Sequence, residues 1–276
     1  MAVFLEDFLS QDFPPRENLL APWLKSQSLN MLYAWRGIGK TFFALEIAYA
    51  VASGGSFLGW TAPKPRGVLY VDGEMPGTVL QERIARIVSS SEQEAAPGTF
   101  RIITPDMQEA GMPNLSEQAG QQEIGRHIDE TTELVIVNNL SCLVRGGGRE
   151  NDAESWLSVQ DWALRLRSRG KSVLFVHHAG KGGAQRGTSK RENVLDVVLL
   201  LRRPANYDRP KVAMSRFTMR RPGDSRGRTW NPSRPGLSRN RMVPGDGRGT
   251  SPRTSCRRSS RSLSSLEWIE RTSSGN

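Results

Sequence analysis

The stretch from Leu29 to Val51 most narrows the folds open to this chain: a short apolar run, a tight glycine loop and an apolar helical run follow one another. Leu29, Met31, Leu32 and Tyr33 have the composition of a buried strand. Phe42 to Val51 reads as an Ala-rich helix that stops at Ser53-Gly54-Gly55. Between them lies Ala34-Trp35-Arg36-Gly37-Ile38-Gly39-Lys40-Thr41. A small residue, four variable positions and Gly-Lys-Thr is the spacing of a loop that closes round a phosphate, with Ala34 in the slot more often held by Gly. Glycines let consecutive backbone N–H groups turn inward. Lys40 adds a point charge at the β and γ oxygens, and Thr41 offers a hydroxyl to a metal ion. The positive N-terminal end of the following helix strengthens the attraction.

The rest of the chain up to about residue 207 alternates in the same way. Strands are expected at Gly67–Val71, Phe100–Ile103, Leu134–Val137, Val173–Val176 and Val194–Leu201. Helices are expected between them: one carrying Leu80, Ile84, Ile87 and Val88 on one side, a polar one over Glu117–Glu130, and one over Asp152–Ser168. Leu134-Val135-Ile136-Val137 is apolar without alternation, as in a parallel strand buried on both faces. The expected fold is therefore α/β, a mostly parallel sheet flanked by helices, with ligands at the carboxyl ends of the strands. All the motifs of interest fall at such ends.

Charge divides the 276 residues unevenly. The net charge of +10 looks like a nucleic-acid signal, but Arg209 to Asn276 hold 15 Arg and 1 Lys against 2 Asp and 2 Glu, a net of +12. Residues 1–208 are left at −2. Cys142 and Cys256 are too few for a disulfide framework and have no metal-ligand spacing, which points to a reducing compartment. The first residues are acidic where a signal peptide would be basic, and no apolar run reaches the ~18 residues of a membrane span. A soluble, cytoplasmic protein with no membrane partner is expected.

Four motifs together carry a family resemblance: Tyr-Ala-Trp-Arg-Gly-Ile-Gly-Lys-Thr (33–41), Leu-Tyr-Val-Asp-Gly-Glu-Met-Pro (69–76), Val-Ile-Val-Asn-Asn-Leu-Ser (135–141) and Val-His-His-Ala-Gly-Lys (176–181). From about Leu20 to Tyr207 the chain resembles the RecA-like P-loop ATPases, in the branch of RepA-type hexameric plasmid helicases and related ATPases of phages and mobile elements. The resemblance implies ATP and Mg²⁺ as ligands, a homo-hexamer, single-stranded DNA as partner and a helicase-like hydrolase in plasmid or mobile-element DNA replication. Cofactor contacts are then expected from Ala34, Arg36, Gly37, Ile38, Gly39, Lys40, Thr41 and Phe42.

Glu74 is the candidate catalytic base. Hydrolysis needs a carboxylate to polarise a water in line with the γ-phosphate, and a Glu just after a buried strand is placed for that. Asp72 ranks second, as a site acid or the start of a turn. His177 and His178 end a strand, and the resemblance implies that one of them contacts the γ-phosphate; since strands alternate sides, one of the two faces the nucleotide, and His178 is favoured. Thr41 and Asn138 are the expected metal contacts, but the family has Asp where Asn138 stands. Asn keeps a carbonyl and loses the charge, so weak hydrolysis is expected, improved by Asn138→Asp. Two Gly-rich cationic loops, with Arg145 and Arg149, and with Lys181, Arg186, Lys190 and Arg191, are candidate DNA-backbone contacts; neither carries an aromatic for base stacking.

The domain organisation expected is an N-terminal segment (1–19), an ATPase domain (20–207) and an Arg/Ser/Pro/Gly-rich tail (208–276) with the composition of a disordered segment. The tail admits two other readings. It could be a nucleic-acid-binding arm. It could also be a shifted reading frame, because codons for Lys211 to Gly223 can be chosen so that the frame one base earlier spells a strand ending in Lys-Ala-Arg, similar to the closing strand of this family. A nucleotide-binding protein with impaired or absent hydrolysis is the alternative to an active ATPase.

Overall fold

The computed structural model describes residues 2–145, 153–178, 194–202 and 216–220. In chain order the elements are α1 (Leu5–Leu9), β1 (Asn18–Leu20), β2 (Leu24–Lys25), β3 (Leu29–Ala34), α2 (Lys40–Ser53), β4 (Ser56–Phe57), β5 (Trp60–Thr61), β6 (Gly67–Asp72) and α3 (Gly77–Ser90). There follow β7 (Phe100–Ile103), α4 (Gln118–Gly125), β8 (Thr132–Asn138), α5 (Leu140–Leu143), α6 (Ala153–Ser168), β9 (Ser172–His178), β10 (Val197–Arg202) and β11 (Arg216–Arg220).

The seven-stranded sheet has the order β7-β6-β8-β9-β3-β10-β11. Every pairing from β7 to β10 is parallel, and β11 closes the edge antiparallel to β10. Helices cover both faces. One core gathers alternate residues of the strands (Leu32, Tyr70, Ile136, Leu174, Leu199) against α2 and α3. The other sets the intervening residues (Met31, Val71, Val135, Phe175) against α4, α5 and α6. Two-sided burial is why Leu134–Val137 is apolar at every position, and all four are fully buried. α2 is apolar on nearly all sides because it is packed on nearly all sides, while α3 buries only Leu80 and Ile87.

The helix expected over 117–130 is shorter, Gln118–Gly125. The chain has to turn before β8, and Asp129 makes that turn: its Oδ1 accepts from the Thr132 N–H at 3.0 Å and from the Thr131 hydroxyl at 2.7 Å. The strand expected from Val194 begins at Val197, because Asp196 Oδ2 takes the Leu29 N–H at 2.9 Å and Asp196 Oδ1 takes Arg16 at 2.9 Å. The small hairpins β1–β2 and β4–β5 were not expected; their two- and three-residue strands are too short to show a period. Within the segment expected as a tail, Arg216–Arg220 forms β11. The Arg-Phe-Thr-Met-Arg run has the period of two that lets five residues pair on the open edge of β10. The remainder of 208–276 lies outside the described residues.

The β4–β5 hairpin packs aromatic side chains against Phe43 in the first turn of α2. Trp60 is 1% exposed and meets Trp23 edge-on with ring centroids 5.4 Å apart and Phe43 at 5.9 Å. Removing it leaves a large cavity between hairpin and helix. Trp60→Ala is expected to cost about 3–5 kcal/mol of unfolding free energy, read from urea denaturation. A change below about 1 kcal/mol would mean that the hairpin does not anchor α2.

Candidate functional site

The carboxyl ends of β3, β9, β8 and β6 stand side by side, with Ala34 paired to His178 and Asp72 to Asn138. They surround a cleft of about 600 Å³, lined among others by Arg36, Gly39, Lys40, Thr41, Glu74 and His178. Its floor is the loop between β3 and the first turn of α2. Gly39 has φ +100°, a conformation that side chains with a Cβ avoid, and it turns the chain so that α2 starts at Lys40 with its N–H groups toward the cleft.

Lys40, only 7% exposed, reaches across to His178 Nδ1 at 2.9 Å and to the Trp35 carbonyl at 3.4 Å. Burial pulls its ammonium down to about 8, with Glu74 pulling the other way and Arg36 adding a little to the fall. A triphosphate recognises the charged form, so affinity is lost as pH rises through that value. Titrating a fluorescent ATP analogue is expected to show binding about tenfold weaker at pH 9 than at pH 7. A flat profile would remove Lys40 from the binding site.

His178 is also 2.5 Å from Asn139 Nδ2, which donates to Glu74 Oε2 at 3.1 Å. The Asn139 amide is oriented from its other end, where Oδ1 accepts from the Ser141 N–H at 3.2 Å and the Ser141 hydroxyl at 3.0 Å, capping α5. Both nitrogens of His178 therefore face donors, and a neutral imidazole accepts at only one. The two contacts compete. A phosphate that draws off Lys40 leaves the ring to Asn139.

Asp72 lies fully buried beneath the cleft. Its Oδ1 accepts from the N–H groups of Glu74 at 2.9 Å and Met75 at 2.7 Å, which bends the chain and presents Glu74. Burial pushes its carboxyl up, and those two N–H groups and the Asn138 amide hold it back. Gly73 in the bend has no room for a Cβ, which would come within 2.7 Å of Leu143 Cγ. Asn138 Nδ2 donates to Asp72 Oδ2 at 2.7 Å and lies 3.4 Å from Thr41 Oγ1. Asn138 Oδ1 is buried and has no hydrogen-bond partner among the described residues.

These contacts place the sequence-predicted residues as follows. Arg36, Gly37, Gly39, Lys40, Thr41, Glu74, Asn138 and His178 line the cleft. Ala34 and Ile38 are buried in the core beneath it, and the Phe42 side chain is exposed. His177 is buried and shares the parity of Val173 and Phe175, which face the α6 side of the sheet. Arg145 is spent on the Met112–Ser116 segment: its side chain donates to the Met112 carbonyl and its N–H to Asn114 Oδ1 at 2.9 Å. Arg149, Lys181, Arg186, Lys190 and Arg191 lie outside the described residues. Asn139 and Arg83, both in the cleft lining, were missed by the sequence reading. Arg83 stands nine positions beyond Glu74 on a helix that read only as amphipathic, and Asn139 sits beside a residue singled out for another reason.

A magnesium ion taken up with a nucleotide asks for oxygen acceptors around its water shell. Thr41 can supply one oxygen. The residue beside it does not fit, because Asn138 turns an NH₂ toward Thr41 and its oxygen away. The expected gain from Asn138→Asp changes accordingly: alone, it would set two carboxylates about 2.7 Å apart in a buried place.

A parallel sheet with a Gly-Lys-Thr loop at the N-terminus of its first core helix, and an acid on a neighbouring strand end, defines a RecA-like P-loop ATPase fold with a nucleotide-binding site. A family model described as an AAA domain matches residues 1–184, and the chain belongs to that family. One solved structure agrees on the fold. A KaiC-like protein from the hyperthermophilic archaeon Pyrococcus horikoshii OT3 is similar at a TM-score of 0.51 and 14% identity, over 75% of this chain and 84% of that one. A second solved structure, an ATPase domain, is similar at a TM-score of 0.46 and 12% identity, over 67% of this chain and 73% of that domain. Among the described residues no helix is long and apolar enough to cross a membrane.

Proposed function

We propose that the cleft binds ATP and hydrolyses it, and that turnover is coupled to single-stranded DNA in a homo-oligomeric, helicase-like assembly serving plasmid or mobile-element replication. The observation that carries the hydrolytic reading is the continuous chain Glu74–Asn139–His178–Lys40 across the cleft. In this reading the amides of the loop and Lys40 hold the β and γ phosphates. Glu74, its carboxylate steadied by Asn139, takes a proton from water as the oxygen attacks the γ-phosphorus and the bond to the β-phosphate oxygen breaks. A γ-phosphate that draws Lys40 away from His178 Nδ1 acts on the end of β9, after which the sequence continues into the cationic segment 179–192. In this reading that path couples nucleotide state to the cationic segment proposed to contact DNA. The oligomer and the DNA partner rest on the motif resemblance and the cationic loops in the sequence.

One observation favours a second reading, nucleotide binding with little turnover: the Asn138 amide faces Thr41 with its NH₂. Phosphate release measured with and without single-stranded DNA separates the two. DNA-stimulated release supports the helicase-like ATPase, whereas nucleotide affinity without release supports the second reading. Absence of nucleotide affinity would sink both.

A further inference from the structure

The amide of Asn138 has one stable orientation, and Asp72 sets it. Asp72 Oδ1 is committed to the Glu74 and Met75 N–H groups, so Oδ2 faces Asn138 and can only accept. Turning the Asn138 oxygen toward Asp72 would oppose lone pair to lone pair in a site where both residues are at most 1% exposed. The NH₂ therefore stays between Asp72, at 2.7 Å, and Thr41 Oγ1, at 3.4 Å. The structure pays for this with a buried Oδ1 that finds no donor among the described residues.

We propose that Asp72 is a positioning residue that sets the metal dependence of this site, locking Asn138 so that a donor, not an acceptor, faces Thr41. This inference rests on the nucleotide reading above. A donor at that place competes with the hydrogens of metal-bound water for the same acceptors, so a divalent cation adds little to nucleotide affinity. The charge is present in the structure but stands one strand away, at the end of β6 instead of β8. Exchanging the two side chains reverses the polarity without altering shape. In the double variant Asp72→Asn/Asn138→Asp, Asn at 72 keeps an oxygen for the two N–H groups and donates its NH₂ to the new carboxylate, which then faces Thr41.

The experiment measures affinity for a fluorescent ATP analogue in EDTA and in excess Mg²⁺, together with thermal melting without nucleotide. In the wild-type protein the two affinities are expected to agree within about threefold, and in the double variant Mg²⁺ is expected to strengthen binding by about tenfold or more. The single variant Asp72→Asn frees the Asn138 amide to turn, and should show an intermediate response to Mg²⁺. The double variant should melt close to wild type, and Asn138→Asp alone should melt several degrees lower in the absence of metal. A wild-type response to Mg²⁺ as large as that of the double variant overturns the proposal while leaving nucleotide binding intact. Asn138→Asp melting with wild type overturns it too, with no nucleotide involved. If wild type binds no nucleotide in either buffer, the nucleotide reading falls and takes this one with it.

Discussion

Glu74→Gln is expected to lower the rate of phosphate release by about 10²–10⁴-fold while leaving affinity for ATP close to wild type. Gln keeps the length of Glu and an oxygen that can still accept the Asn139 amide hydrogen, seen at 3.1 Å in the wild-type site. What it cannot do is take a proton from water. The loss should therefore fall on kcat, with KM nearly unchanged, the pattern of a group that acts only in the transition state. Single-turnover phosphate release and equilibrium binding on the same preparation check both halves. A Gln variant that turns over at the wild-type rate would transfer the base to another acid. Asp72 is a poor substitute, since it is fully buried and both its oxygens are already engaged.

Lys40→Ala should have the largest effect on binding itself. The ammonium is held at the cleft floor by His178 Nδ1 at 2.9 Å and the Trp35 carbonyl at 3.4 Å, neither of which is an anion. It is therefore a desolvated charge, and in the proposed reading a triphosphate pairs with it. Removing one member of such a buried charge pair costs about 2–5 kcal/mol, roughly 30- to 5,000-fold in Kd. The fold should not suffer, because the substitution takes away a buried charge and leaves α2 with its best helix former. Calorimetric titration with ATP, beside a melting curve, distinguishes lost affinity from lost structure. An unchanged Kd would show that nucleotide, if bound, is bound elsewhere.

The parts of this molecule that were legible in the chain are those whose physics is local. Glycines at 37 and 39 beside Lys40 declare a left-handed loop ahead of a helix, since both take positive φ. The unbroken apolar run Leu134–Val137 declares a strand covered on both faces. Glu74 and Thr41, which both line the cleft, each lie at the end of a segment whose period was plain. By contrast, β11 was read as tail: five residues gain order only by pairing on the edge of β10, and nothing in their own composition says that such an edge is near. The hairpin that carries Trp60 and the turn at Asp129 were hidden for the same reason.

Within the site the division is sharper. Sequence alone pointed to most of the residues at the strand ends, though not to Asn139 or Arg83, because covalent neighbours travel together and hydrophobic period places each segment on its layer. Only the tertiary structure decided what those residues do to one another. Asp72 meets Asn138 across 66 positions, Asn138 meets Thr41 across 97, and Lys40 meets His178 across 138. Hydrogen-bond polarity at those meetings depends on which atoms face each other within about 3 Å, and the order of side chains along a chain does not carry that information.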